Sequence, residues 1–203
     1  MPGIMMPLCP KCAKFAPTYI KTDRSMETIK IKDKEFAVSI PEALIQKEVE
    51  RVANEINRDL KDANPIFLSV LNGSFMFAAD LMKHVRIPSQ ISFIKLASYE
   101  GTSSTGVIKE VLGLSEDITG RTVVIIEDIV DTGQTMQRLL ETLGTRCPKA
   151  IKIATLLVKP DKLTVDLDID YVAMKVPNDF IVGYGLDYDG YGRNYRDIYA
   201  VVE

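Results

Sequence analysis

The stretch Val123-Val-Ile-Ile-Glu-Asp-Ile-Val-Asp-Thr-Gly-Gln-Thr135 decides how this chain is read. It reads as an apolar strand ending at Ile126, two adjacent acids, Glu127 and Asp128, and a third acid, Asp131. A turn of Thr132, Gly133, Gln134 and Thr135 follows. The spacing of Met136, Leu139, Leu140 and Leu143 then predicts a helix over 134–144. The first amides of a helix have no partners within it and carry the positive end of its dipole, so this turn suits a phosphate. The acids beside it suit hydroxyls, a proton or a divalent cation. One loop can therefore hold a phosphorylated sugar at both its phosphate and its hydroxyl edge. Capping of the helix by Asp131 or Thr132 is the competing reading, and it is compatible with an anion site. Two adjacent carboxylates at a strand end repel one another and need partners, which favours a ligand.

The same pattern continues on both sides. Ser39-Ile-Pro-Glu42 has the form of a capping box, and Leu44, Ile45, Val49, Val52, Ile56 and Leu60 predict an amphipathic helix over about 41–61. Ile66–Leu71 reads as a strand, Asn72-Gly73-Ser74 as a turn, 75–85 as a helix and Ile91–Leu96 as a strand, which makes a βαβ unit. The Gly-, Ser- and Thr-rich segment 97–106 reads as a mobile loop, with a strand within 107–114 leaving it. Arg121–Ile126, the helix over 134–144 and Ile151–Val158 make a second βαβ unit. Shorter strands are expected at 170–175 and 199–202. Near-continuous Val and Ile runs fit strands covered on both faces. The fold class is α/β: an open, mainly parallel sheet of about five or six strands with helices on both faces. Residues 160–203 and the N-terminal arm are expected to cap one end. In such sheets ligands sit outside the carboxyl ends of the strands, where loops 71–74, 97–106, 127–135 and 159–160 converge.

With 203 residues the chain is about one domain, and its 46% hydrophobic content is ordinary for a packed core. A net charge of −3 and no long basic run argue against nucleic acid as the main partner. No apolar stretch approaches the roughly 20 residues of a membrane helix, and the proline-broken start is a poor signal peptide. Three cysteines fit the cytosol. Cys9-Pro-Lys-Cys12 lacks two further zinc ligands at usual spacing, so residues 1–25 are read as a poorly ordered extension without chemistry. The lone histidine, His84, stands on a helix away from any nucleophile pattern and is read as structural.

Competing phosphate and metal motifs fail. Gly133-Gln-Thr135 echoes the end of a Walker A loop, but Gln134 stands where Lys is required and Asp128 where the first Gly is. Gly183-Tyr-Gly185 opens a G-x-G-x-x-G that Tyr188 breaks. Asp187-Tyr-Asp189-Gly-Tyr191-Gly192 opens a calcium loop that Tyr191 and Ile198 spoil.

The stretch from Val123 to Thr135 resembles the phosphoribosyl-pyrophosphate signature of the type I phosphoribosyltransferases. Leu71-Asn72-Gly73-Ser74, Ser98-Tyr99-Glu100-Gly101, Leu157-Val158-Lys159-Pro160 and Phe180-Ile-Val-Gly-Tyr-Gly-Leu-Asp187 lie in the order and spacing of the hypoxanthine-guanine branch of that family. The resemblance covers residues 26–203, read as one phosphoribosyltransferase domain, and leaves out 1–25. It implies Mg²⁺-dependent transfer of 5-phosphoribosyl from phosphoribosyl pyrophosphate to N9 of a 6-oxopurine. It assigns the phosphoribosyl group to Glu127, Asp128, Asp131, Thr132, Gly133, Gln134 and Thr135, with Asp131 as the general base at purine N7.

Pyrophosphate falls to Leu71, Asn72, Gly73, Ser98, Tyr99 and Arg193, with Ser98 and Tyr99 in a closing lid. The purine falls to Lys159, which donates to the 6-oxo group, to the ring of Phe180, to the backbone of Ile181 and to Asp187. Glu127, Asp128 and Asp187 are the metal candidates. A homodimer or homotetramer is implied. Asn72 and Asp179 stand where family members often carry Lys, and the choice among hypoxanthine, guanine and xanthine stays open. A regulator that senses phosphoribosyl pyrophosphate while binding nucleic acid is the alternative from another class. It would need a basic surface or a DNA-binding segment.

Overall fold

The computed structural model describes residues 28–97 and 109–202. In chain order the elements are β1 (Thr28–Ile31), β2 (Lys34–Ile40), α1 (Glu42–Asp59), β3 (Ile66–Leu71), α2 (Phe75–His84), β4 (Gln90–Ala97) and β5 (Lys109–Leu112). β6 (Thr122–Val130), α3 (Gln134–Gly144), β7 (Ala150–Val158), a 3-10 turn (Pro160–Lys162), β8 (Tyr171–Lys175), β9 (Ile181–Val182) and β10 (Ile198–Val201) follow. The extension 1–25 with Cys9 and Cys12, and the loop that includes Ser98 and Tyr99, lie outside the described residues.

The large sheet has the order β5-β4-β3-β6-β7-β8. All its pairings are parallel except β4 with β5. β3 and β6 are central, and their side chains divide by parity, as the two-residue period of a strand requires. Phe67, Val124 and Ile126 join the core on one face with Ile45, Val49, Val52, Ala53 and Ile56 of α1 and Phe77, Ala78 and Leu81 of α2. Leu68, Val70, Val123 and Ile125 join the other core with Met136, Leu139 and Leu143 of α3. Each fully buried Val, Leu, Ile or Phe contributes about 1.5–3 kcal/mol of transfer free energy, so two-sided burial of the apolar runs fixes the layers.

Two local expectations are corrected. β6 does not stop at Ile126. Its parallel ladder with β7 runs on to Val130 opposite Val158, so Glu127 and Asp128 lie in the last turns of the strand and the loop is only three residues long. Ser39 does not cap α1: it lies in β2, the N-cap is Pro41, and no side chain of the local sequence caps the helix. The carboxylate of Asp197, far along the chain, accepts the Glu42 N–H at 2.6 Å instead.

A second sheet, β1-β2-β10-β9, is antiparallel throughout. It has its own core of Ile31, Phe36, Val182 and Tyr199. The segment 160–203 does not all go to this hood, because β8 pairs with β7 at the edge of the large sheet.

Candidate active site

The end of β6 sets the geometry. Burial first, and the neighbouring Asp128 carboxylate second, push the Glu127 carboxyl well above the ordinary carboxylate range. Asp128 Oδ1 accepts the Ile129 N–H at 2.8 Å. Its Oδ2 faces Gly73: a Cβ built on Gly73 would lie 1.5 Å from that oxygen. Glycine at 73 is therefore what lets the β3–α2 turn close on the acid of the neighbouring strand. The Leu71–Asn72 peptide of that turn is cis. The Ser74 hydroxyl, buried beneath it, donates to the Val70 carbonyl and lies 2.7 Å from Ser69 Oγ.

At the β6–α3 loop, α3 starts on Gly133 with φ +80, and no side chain caps it. The nearest candidate, Thr132 Oγ1, is 3.5 Å from the Gln134 N–H, at the edge of hydrogen-bonding distance. Thr132, Gln134 and Thr135 are exposed. An uncapped helix start with exposed hydroxyls beside it has the donors that suit an anion. Gly133 is buried from below, where an added Cβ would meet Val165 Cγ2 at 2.7 Å, so the 163–167 segment fixes the turn. The Thr164 N–H bonds the Thr132 carbonyl at 3.1 Å from the same side.

Asp131 is held by one oxygen only. Lys162 Nζ lies 3.2 Å from its Oδ2, while its Oδ1 is buried and has no hydrogen-bond partner. A buried acceptor left unmet costs about 1–3 kcal/mol. Lys162 is a site residue that the sequence reading missed; a lysine three positions after Lys159 carried no pattern of its own. Lys159 starts beside the same loop, with its N–H on the Val130 carbonyl at 3.0 Å. It is only 7% exposed, and its Nζ donates to the Asp179 carbonyl at 2.8 Å. Burial lowers its pKa, with the nearby Asp131 opposing that effect.

The hood supplies the remaining candidates. The Phe180 ring is 42% exposed and meets Tyr188 edge-on with centroids 5.5 Å apart. Ile181 begins β9 and pairs with Ala200. Gly185, with φ +99, lies over the β3–α2 turn so closely that a Cβ there would be 2.0 Å from the Gly73 carbonyl oxygen. Arg193 donates to the Gly185 carbonyl at 2.7 Å and pairs with Asp187 at 2.6 Å. The other Asp187 oxygen accepts the Gly190 N–H at 2.7 Å, which ties down the 187–190 turn.

The loops thus meet in series: Asp128 against Gly73, Gly73 against Gly185, Gly185 against Arg193, and Arg193 against Asp187. Glu127, Asp128 and Asp187 do not form a ready-made cage. Among the described residues no three of His, Cys, Asp and Glu gather closely enough to hold a metal ion. Asp187 is instead engaged by Arg193 and Gly190.

Residues 41–189 match the family model described as a phosphoribosyl transferase domain. The chain is 41% identical over 154 residues to a hypoxanthine phosphoribosyltransferase of Salmonella typhimurium, covering 74% of this chain and 86% of that one. It is 41% identical over 161 residues to a hypoxanthine-guanine phosphoribosyltransferase of Mycobacterium avium, covering 76% and 78%. Among solved structures, a hypoxanthine-guanine phosphoribosyltransferase from Bacillus anthracis superposes with a TM-score of 0.76 at 39% identity, covering 82% of this chain and 96% of that one. The series of touching loops at the carboxyl ends of the parallel strands, and a match spanning most of the chain, make this protein a member of the phosphoribosyl transferase family.

Proposed function

We propose that this protein transfers the 5-phosphoribosyl group of phosphoribosyl pyrophosphate to N9 of hypoxanthine or guanine, in purine salvage. The observation that carries the reading is the β6–α3 loop. It combines an uncapped helix start, two adjacent strand-end carboxyls and an aspartate with one buried oxygen unmet. The names of the relatives at about 40% identity support the same substrate class. The catalytic unit is read as residues 26–203. A cytoplasmic homodimer or homotetramer belongs to the same proposal; among the described residues no helix is long and apolar enough to cross a membrane.

The 5′-phosphate is taken by the amides and hydroxyls of Thr132–Thr135, and the ribose hydroxyls by Glu127 and Asp128. Pyrophosphate lies along Leu71, Asn72 and Gly73 with Arg193, whose planar fork of donors suits phosphate oxygens. Ser98 and Tyr99 are assigned to a lid over it. The purine stacks on Phe180, meets the backbone of Ile181 and the side of Asp187, and presents its 6-oxo group to Lys159. As the C1′–O bond to pyrophosphate breaks and the N9–C1′ bond forms, the proton on N7 passes to Asp131. Catalysis lies in positioning and in stabilising the leaving group.

The donor set fits Mg²⁺, which binds through one or two carboxylates plus substrate oxygens rather than through an all-protein cage. Glu127 and Asp128, with Asp187 once released from Arg193, would hold it, and when bound it supplies charge neutralisation at the pyrophosphate.

The test is pyrophosphate release with hypoxanthine, guanine and xanthine in turn, with and without Mg²⁺. Turnover with the first two that stops on chelation is expected. Turnover with none of the three would overturn the reading, and a preference for xanthine would replace its base assignment with the xanthine alternative.

A further inference from the structure

Tyr184 belongs to the segment that carries the hood rim, yet its side chain points away from that rim into the main core. It is 1% exposed and packs with residues of α1 and α2. Its backbone has φ +47, a conformation that bulky residues rarely adopt unless the surroundings require it. The glycines on either side both have φ +99, and neither has room for a Cβ: Asp197 blocks Gly183 at 2.1 Å and Gly73 blocks Gly185 at 2.0 Å. The Tyr184 hydroxyl donates to Asp80 Oδ2 at 2.6 Å, and the same oxygen accepts Gln46 Nε2 at 2.6 Å. Lys83 Nζ holds the other Asp80 oxygen at 2.7 Å. Burial pushes the Asp80 carboxyl up, but the bonds from Lys83, Tyr184 and Gln46 outweigh it and hold the pKa below its ordinary value. Burial, and then the bond to Asp80, raise that of the tyrosine.

The residue after this anchor is Gly185, whose backbone meets the Gly73 carbonyl on one side and Arg193 on the other. We propose that Tyr184 is a positioning residue for pyrophosphate: its bond to Asp80 sets the height of Gly185 and so the register of Arg193 over the Asn72–Gly73 amides. The inference rests on the proposed function of the cleft. It adds a residue that touches no substrate, acting through helices α1 and α2.

The experiment compares wild type, Tyr184→Phe, Asp80→Asn and the double variant. It reads KM for pyrophosphate in the reverse reaction, KM for the purine in the forward reaction, kcat and Tm. Loss of one buried hydrogen bond of about 1 kcal/mol should raise KM for pyrophosphate about fivefold in either single variant. KM for the purine should stay within about twofold. The double variant should raise KM for pyrophosphate by less than the product of the two single effects, because the Tyr184–Asp80 bond is lost only once, while Asp80→Asn also weakens the contact with Lys83. Val52→Ala in the α1 core controls for stability: it lowers Tm and leaves KM for pyrophosphate in place. A Tyr184→Phe enzyme with lowered Tm and unmoved KM values would overturn the inference, as would both KM values rising together. Absence of turnover in the wild type would remove the functional reading as well, whereas an active wild type with an indifferent Tyr184→Phe removes only the anchor.

Discussion

At the β6–α3 rim, Asp131 keeps a buried oxygen without a partner and α3 begins without a side-chain cap, whereas at the 183–193 rim Arg193 and Asp187 already hold each other at 2.6 Å. Glu127 sharpens the contrast, because its own burial first, and its neighbour's charge second, work against its ionised form. The first rim is preorganised and unsatisfied, and a ligand completes it. The second is satisfied internally, so a ligand must exchange contacts there. Groups without a protein partner gain a ligand's full contact, and groups already paired give up part of that gain. On the proposed function, interactions specific to the transition state are assigned to the first rim, and ground-state affinity for pyrophosphate to the second.

Substitutions that break this division should fall in order of size. Asp131→Asn removes the proposed proton acceptor at the unsatisfied rim while keeping its shape. A fall in kcat of about 10²–10⁴ with little change in either KM is expected from steady-state rates. Unchanged turnover would take Asp131 out of the mechanism. Gly185→Ala places a Cβ against the Gly73 carbonyl at a φ that alanine rarely adopts, so the paired rim must shift. Denaturant unfolding should show a loss of about 1–3 kcal/mol, with a raised KM for pyrophosphate in whatever protein folds. Arg193→Lys keeps the charge but loses the planar fork that serves both Gly185 and Asp187. Its KM for pyrophosphate should rise about tenfold with kcat held, which initial-rate kinetics would read.

The smallest effect runs the other way. Glu127 has a raised folded pKa, so its contribution to stability is intact below the unfolded carboxylate pKa and is lost as pH rises through the folded value. Glu127→Gln should therefore raise the Tm of the free protein at pH 8, with no gain near pH 4. A thermal melt at the two pH values checks the sign. Turnover should fall in the same variant, which marks the strain at this rim as functional.

The unsatisfied rim was also the legible one. Val123–Ile126 and Met136–Leu143 have strong local periods, and the acids and turn between them are contiguous, so strand, loop and helix showed in one stretch of sequence. What failed there was only the strand's end, because pairing with β7 carries the extended backbone through Glu127 and Asp128 to Val130. The paired rim was far less legible. Its geometry depends on contacts between residues distant in sequence: Gly185 on Gly73, Tyr184 on Asp80, Asp197 on the start of α1. No local pattern encodes these. β2 is an intermediate case. Phe36, Val38 and Ile40 alternate as a half-buried strand should, but Ser39–Glu42 has the form of a capping box, a competing local signal that pairing with β1 and β10 overrides. Lys162 had no signal at all before the 3-10 turn placed it beside Asp131.

The most direct test of the central claim is a crystal structure with a nucleoside 5′-monophosphate of hypoxanthine or guanine. The account predicts the phosphate on the amides of Thr132–Thr135, the ribose hydroxyls on Glu127 and Asp128, and N7 facing the Asp131 oxygen that has no partner now. A phosphate bound elsewhere, with the segment from Glu127 to Thr135 untouched by the nucleotide, would contradict it.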